Sequence, residues 1–381
     1  MAMKKTRGIE VQEIVDDVNP SPALIKLRKD NNKLRNRIDE LKLQLGEDEE
    51  YFDIVKKTVR AIEPLPPVKY APPKDGGVKS ELSAVMVFSD WHIGEYTDAD
   101  ETEGFNSFSW AIAQKRAYYL TRKFIDWISV QRKAASINEA VIICDGDLIS
   151  GDIHQELQVT NEWPVPVQNV KAAFLLAKCV SEIAPHFDKV RVEFMTTDNH
   201  SRRTRKPQAK QAGFNSEGYV IAYLMQERLK DIPNVDMNIY TRIKALVNIQ
   251  GFPFLVEHGN SIRGWSGIPW YGADRSVARE AKARRMMPKK NFYKCLIGHF
   301  HQPMKTPDYI VNGSLSGTSE FDHSAGRHSD PCQIAFLVHP KYGDFNFNEL
   351  YVHFADDEDF GGAELVHPSD DDEIIEKLAQ E

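Results

Sequence analysis

The sequence predicts an α/β layered fold preceded by an N-terminal coiled-coil helix. Two observations carry that prediction. From residue 84 onward, short β-type apolar runs alternate with amphipathic helical stretches, the pattern of layered strands and helices. Upstream, apolar residues repeat every seven positions through residues 24–45. A third observation bears on function: several of the β-type runs are followed within a few residues by Asp, Asn or His.

The heptad pattern comes first along the chain. Leu24, Asn31, Ile38 and Leu45 are spaced by seven, and Leu27, Leu34 and Leu41 fall three residues after the first three of them. The register continues through Phe52, Val55, Val59 and Ile62, with interruptions at Gly46 and Asp48. Asn31 in a core position favours a parallel two-stranded pairing, because two amides can bond across the axis. The expectation is a dimer formed through residues 24–62; the alternative is a helix packed on its own chain. Pro64, Pro66-Pro67, Pro72-Pro73 and Gly76-Gly77 then mark a linker. The expected organisation is a helix over 1–63, a linker over 64–80, a folded domain over 81–354 and an acidic tail over 355–381.

Within the domain the expected strands are Ala84–Phe88, Val141–Cys144, Val190–Met195, Phe254–Glu257 and Tyr293–Ile297. Ala245–Ile249, Gln250-Gly251 and Phe252–Glu257 read as a hairpin. Apolar spacing predicts helices over Ser109–Val130 and Val167–Ile183.

At 381 residues with 41% hydrophobic content, the chain has material for one large core. No apolar run approaches the ~20 residues that span a bilayer, and no apolar stretch follows the charged start MAMKKTRGIE. Cys144, Cys179, Cys295 and Cys332 form no CxxC pair, and three of them sit in apolar runs. They read as buried free thiols of a reducing, cytoplasmic compartment. The net charge of -8 hides an asymmetry. Residues 355–381 hold eleven acidic residues and one lysine, a net of -10, which leaves the remainder of the chain at +2. The tail reads as a solvating terminus on a mildly basic body.

The chemistry lies at the strand ends. Ala84–Phe88 leads into Asp90 and His92, and Val141–Cys144 into Gly146-Asp147. Val190–Met195 leads into Asn199-His200, Phe254–Glu257 into His258, and Tyr293–Ile297 into Gly298-His299-Phe300-His301. The carboxyl edge of an α/β sheet is where ligands bind. Any one of these elements is common by chance, but five in order, each in the right structural context, point to a metal site.

These residues resemble the calcineurin-like metallophosphoesterase family, whose pattern runs D-x-H, G-D, G-N-H-[D/E], a lone His and G-H-x-H, over about residues 84–340. The blocks His258–Arg275 and Asn312–His328 are similar to tailed-phage members of the family and more distantly to SbcD-type repair nucleases, which would place the chain in a host cytoplasm. The resemblance implies a β-sandwich flanked by helices. It implies one metal on Asp90, His92, Asp147 and His301, and a second on Asp147, Asn199, His258 and His299. Two divalent ions so placed clamp a phosphate and share a hydroxide nucleophile. The mixed N/O ligands favour manganese, then iron or zinc. His200 would be the general acid. One departure matters: the family's carboxylate after that histidine is Ser201 here, with Asp198 and Asp152 as candidate substitutes.

Two basic runs bear on substrate: Arg202, Arg203, Arg205, Lys206 and Lys210, and then Arg275 to Lys290 against a single Glu280. With Arg263, and with Trp265, Trp270 and Tyr271 in a Gly-rich loop, they suit a nucleic-acid backbone and its bases. A metal-dependent nuclease acting on DNA is therefore expected, with Arg202, Arg203, Arg205, Lys206, Arg263, Trp265 and Arg275 as substrate contacts. The alternatives are a phosphomonoesterase or protein phosphatase, a phosphodiesterase of small nucleotides, or a nucleic-acid-binding scaffold with impaired catalysis. The phosphatase alternative lacks its G-D-x-x-D-R-G, since Gly146-Asp147 continues as Leu148-Ile149-Ser150-Gly151-Asp152.

The coiled coil makes a direct prediction. Sedimentation should give a dimer for the full chain and a monomer for a chain beginning at Glu81; a dimeric shortened chain would place the interface elsewhere.

Overall fold

The computed structural model describes Lys33 and residues 82–263 and 269–357. All of these but Lys33 belong to one unit of the chain, Thr58–Glu381. The heptad segment, the Pro/Gly linker, Trp265 and the tail beyond Asp357 lie outside the described residues.

In chain order the elements are β1 (Leu82–Phe88), α1 (Trp110–Gln131), β2 (Ile137–Cys144), α2 (Leu157–Thr160), α3 (Val165–Ile183) and β3 (Lys189–Met195). They continue with α4 (Glu217–Leu229), β4 (Val235–Tyr240), β5 (Ala245–Ile249), β6 (Phe252–Glu257), α5 (Pro269–Arg284) and β7 (Lys294–Ile297). The last are β8 (Met304–Lys305), β9 (Tyr309–Val311), α6 (Glu320–Ser324), β10 (Cys332–His339), β11 (Gly343–Tyr351) and α7 (Phe354–Asp357). Two mixed sheets result, in the orders β11-β10-β1-β2-β3-β4 and β5-β6-β7-β9-β8. β1 to β4 run parallel, while β10 joins β1 antiparallel.

Alternation along the strands builds four layers. Ala84, Met86 and Phe88 of β1 and Ala140, Ile142 and Cys144 of β2 face a core shared with α1, α3 and α4. Val85, Val87, Val141 and Ile143, with Phe336 of β10 on the same face, point the other way, toward Phe254 and Val256 of β6 and Leu296 of β7. The second sheet's far side, with Leu255, Cys295 and Ile297, takes Ala273 and Val277 of α5. A strand buried on both faces reads as a continuous apolar run, and β1 is buried at every position. This is an α/β fold of two mixed sheets flanked by helices.

The expected strands and helices are all present within a few residues. α3 starts at Val165, two residues before its expected start, because Pro164 caps it and Pro166 fits its first turn, where no backbone N–H is needed. Ser109 caps α1 by accepting from the Ile112 amide. Gln250 and Gly251, both with positive φ, turn the β5–β6 hairpin. The sequence-based list lacks α2, α4 to α7, β4 and β8 to β11. All four cysteines are buried free thiols. No helix among the described residues is long and apolar enough to cross a membrane.

Two buried polar centres hold the loops that carry the site. Gln333 of β10 accepts from the Ser89 amide and the Trp91 indole and donates to the carbonyls of Ser89 and Gly313. Arg116 of α1 is 1% exposed; it donates to the carbonyls of Leu315, Ser316 and Ser107 and pairs with Asp356 of α7 at 2.7 Å. Ala355 is buried beside it, so the first residues of the segment counted with the acidic tail are tied into the fold. Arg116→Met should leave three carbonyls without their partner and cost about 3 kcal/mol in urea unfolding; a loss under about 1 kcal/mol would show that water replaces the guanidinium.

Candidate metal centre

The turns after β1 and β2 stay paired beyond the strands. The Asp90 amide donates to the Gly146 carbonyl and the His92 amide to the Asp147 carbonyl, at 3.0 and 3.1 Å. These bonds bring Asp90, His92 and Asp147 side by side. From the second sheet, the His299 amide donates to Asp90 Oδ1 at 2.9 Å, and His258 Nδ1–H donates to the Asp145 carbonyl at 2.6 Å. The His200 amide, beyond β3, donates to Asp147 Oδ1 at 3.0 Å.

The backbone is unusual here. Asp90, His92, Asp147, His299 and His301 all have φ between 48° and 70°. That left-handed region costs an L-residue about 1 kcal/mol and is tolerated best by Asn, Asp and His. Such strain gathers where a site over-determines the chain. Two glycines allow the close approach. A Cβ on Gly146 would lie 2.6 Å from Asp198 Cβ and 2.8 Å from His258 Nδ1, and one on Gly298 would lie 2.9 Å from Asp90 Oδ2.

Three groups of side chains have ligand atoms within 4.8 Å of one another: Asp90, His92 and His301; His92, Asp147 and His200; and Asp147, His258 and His299. These clusters could hold metal ions. The nitrogens bear this out. His258 Nε2 lies 2.8 Å from Asp147 Oδ2 yet has no aligned hydrogen bond, and His92 Nε2 and His301 Nε2 stand 3.1 Å apart. With metal bonds of about 2.1 Å, two ligands on one ion sit about 3.0–3.4 Å apart. Asn199 Oδ1 and His92 Nδ1 are buried without a partner, as an unfilled ligand oxygen would be in the first case. The structure thus gathers the side chains of Asp90, His92, Asp147, His200, His258, His299 and His301, with Asn199 Oδ1 buried in the same turn as His200.

Electrostatics divide the imidazoles. Burial, reinforced by the neighbouring imidazoles of His200 and His301, holds His92 well below the ordinary imidazole pKa, and burial with His258 nearby pushes His299 down to about 4. Burial acts the same way on His258, but the Asp147 carboxylate outweighs it and raises His258 well above the ordinary value. His301 is likewise raised against burial by hydrogen bonds to Asp322 and Asp90. Burial lifts Asp198 to about 6, with the Asp147 charge adding to it.

Asp198 does not support His200. Its carboxylate accepts from the Ser201 amide and hydroxyl, both at 2.6 Å. Asp152 is exposed, and its backbone carbonyl, rather than its carboxylate, accepts from Gln158. His200 Nδ1 instead meets the Ser150 carbonyl at 2.5 Å, so a backbone oxygen orients the ring that Ser201 leaves without a carboxylate. Sequence reasoning could not find that partner, because any residue at 150 has the carbonyl.

Two further carboxylates went unnoticed in the sequence. Asp322 of α6 accepts from His301 Nδ1 at 3.3 Å and is held by the Ser319 hydroxyl at 3.1 Å. Glu95 lies 3.7 Å from His92 Nδ1, and burial pushes its carboxyl up to about 7. Among the expected substrate contacts, Arg203 is paired with Glu217 at 3.3 Å and Arg202 bonds the Thr204 carbonyl within its own loop. Arg205, Lys206, Arg263 and Arg275 are exposed. Trp270 packs edge-on to Phe300, with ring centroids 6.0 Å apart, and is half-buried rather than presented to solvent.

No family model matches the sequence, and no curated protein matches it.

A carboxylate behind a ligand histidine sets its tautomer and basicity, and its loss weakens metal affinity 10- to 100-fold. Asp322→Asn should therefore bind Mn²⁺ about tenfold more weakly by calorimetry; unchanged affinity would mean that His301 is not a ligand.

Proposed function

We propose that the chain is a dinuclear metal-dependent phosphoester hydrolase of the calcineurin-like kind, cleaving phosphodiester bonds of nucleic acid, with DNA as the first candidate. The observation that carries the reading is the convergence of ligand atoms from five strand ends, with Asp147 common to two of the three groups. One ion would be held by Asp90, His92, Asp147 and His301, the other by Asp147, Asn199, His258 and His299. The donor set of imidazole and carboxylate suits manganese, iron or zinc. Bound there, divalent ions supply positive charge to phosphoryl oxygens and lower the pKa of water enough to give a nucleophile near neutral pH.

The chain's own groups do the rest. The Asp145 carbonyl accepts a hydrogen bond from His258 Nδ1–H and so directs its Nε2 at Asp147. Neutral His92 and His299 keep the centre's negative charge low, which lets a phosphate approach. With Nδ1 held by the Ser150 carbonyl, His200 has Nε2 left to give a proton to the leaving oxygen. After Gly146-Asp147 the chain runs Leu148-Ile149-Ser150-Gly151-Asp152, so Gly151 stands where the G-D-x-x-D-R-G of a protein phosphatase carries its phosphate-binding arginine. That supports a diester over a phosphoprotein. Pairing through residues 24–62 belongs to the same reading and would put two centres on one nucleic acid.

A second arrangement is favoured by one observation: His200 also falls within ligand range of His92 and Asp147. In it His200 is a ligand rather than a proton donor.

The test is hydrolysis of bis-p-nitrophenyl phosphate and of labelled DNA with Mn²⁺, beside p-nitrophenyl phosphate. Diester turnover is expected; hydrolysis of the monoester alone would sink the proposal. Asp147→Ala removes several kcal/mol of charge stabilisation and should lower turnover at least about a thousandfold. His200→Ala should lower it about 10²- to 10⁴-fold with metal stoichiometry intact, whereas loss of bound metal would favour the second arrangement.

A further inference from the structure

The loop that leaves the centre at Ser201 returns to it at once. The Glu217 amide donates to the Ser201 carbonyl at 2.7 Å, the hydroxyls of Ser201 and Ser216 meet at 2.9 Å, and Arg202 bridges Ser216. The first turn of α4 is therefore fastened to the residue after His200. Along α4 the exposed positions are Tyr219 and Tyr223, 37% and 46% exposed and one turn apart on the same face. A solvent-facing helix stripe ordinarily carries charged or polar residues. Phe214, 62% exposed, lies in front of them with its ring centroid 5.5 Å from that of Tyr219. The intervening loop contributes exposed Arg205, Lys206 and Lys210 and no acidic residue.

Three exposed rings, in a segment that also carries exposed Arg205, Lys206 and Lys210, make poor surface for a solitary protein and good surface for a strand whose bases are unpaired. Every base offers a π-face to stack, while its backbone seeks positive charge. We infer that Phe214, Tyr219 and Tyr223, with Arg205 and Lys206, form a platform on which single-stranded nucleic acid lies as it enters or leaves the metal centre. The inference rests on the hydrolase reading for its direction, but not for the binding itself. The two tyrosines make the contact through their rings, so their hydroxyls are dispensable. A duplex keeps its bases stacked on each other and gains nothing from the rings.

The experiment is fluorescence anisotropy of the full-length protein in EDTA, with fluorescein-labelled oligothymidine and with a hairpin duplex. Each of Phe214→Ala and Tyr219→Ala should weaken oligothymidine binding about tenfold while leaving duplex binding as it was. Tyr219→Phe should retain the wild-type affinity. Tyr342→Ala, at the exposed β10–β11 turn, should also retain it. Equal losses on both probes, an unchanged affinity in both alanine variants, or no affinity of the wild type for oligothymidine would each overturn the platform. Diester hydrolysis is measured separately. A protein that binds oligothymidine through these rings but cleaves no diester refutes the hydrolase and keeps the platform, and one that cleaves diesters with indifferent rings does the reverse.

Discussion

The centre depends on a few hydrogen bonds that cross from the turns of one sheet to the turns of the other. Asp90 and Asp145 belong to the turns of the first sheet, His258 and His299 to those of the second, and the bonds between them are what align the two sets of candidate ligand atoms. The apolar layer between the sheets fixes their separation, but it is indifferent to small slides. Directed bonds to a buried carboxylate and a buried carbonyl are not. Gln333 and Arg116 act one layer further out, tying the loops after β1 and β9 so that the turn carrying Asp90 has a fixed floor. Removing one of these polar partners leaves others buried and unbonded, so the network is held together as a unit.

Left-handed backbone at five of the candidate ligand positions shows what this alignment costs. In an isolated turn each of those residues would relax to an ordinary conformation. Here the paired turns leave no room to do so, and the strain is offset by burial of the strands that precede each turn. The same crowding explains the glycines at 146 and 298: a side chain at either would occupy the space of a neighbouring aspartate or histidine of the candidate centre.

Much of this was legible in the sequence. β1, β2, β3, β6 and β7 announce themselves as apolar runs, and each is followed by a residue type that binds metal. The hairpin at Gln250-Gly251 needs no tertiary information. What escaped had no local signature. β10 is as apolar as β1, but its antiparallel place beside β1 leaves no trace in either segment. The Ser150 carbonyl that orients His200 is invisible to any reading of side chains. Asp322 and Glu95 are ordinary surface-type residues until α6 and the turn after β1 fold them against His301 and His92. The partner of Arg203 was hidden for the same reason: Glu217 is a helix residue in sequence and meets Arg203 only in space.

β1 is central in its sheet, flanked by β2 and by β10. During synthesis it emerges early and can pair with β2 soon afterwards. Its other edge has no partner until Cys332–His339 has left the ribosome, so for most of translation an apolar strand waits with unpaired amides and carbonyls. The last strands therefore close the sheet as well as extend it, and a chain interrupted before residue 332 would present an open, hydrophobic edge ready to join its neighbours.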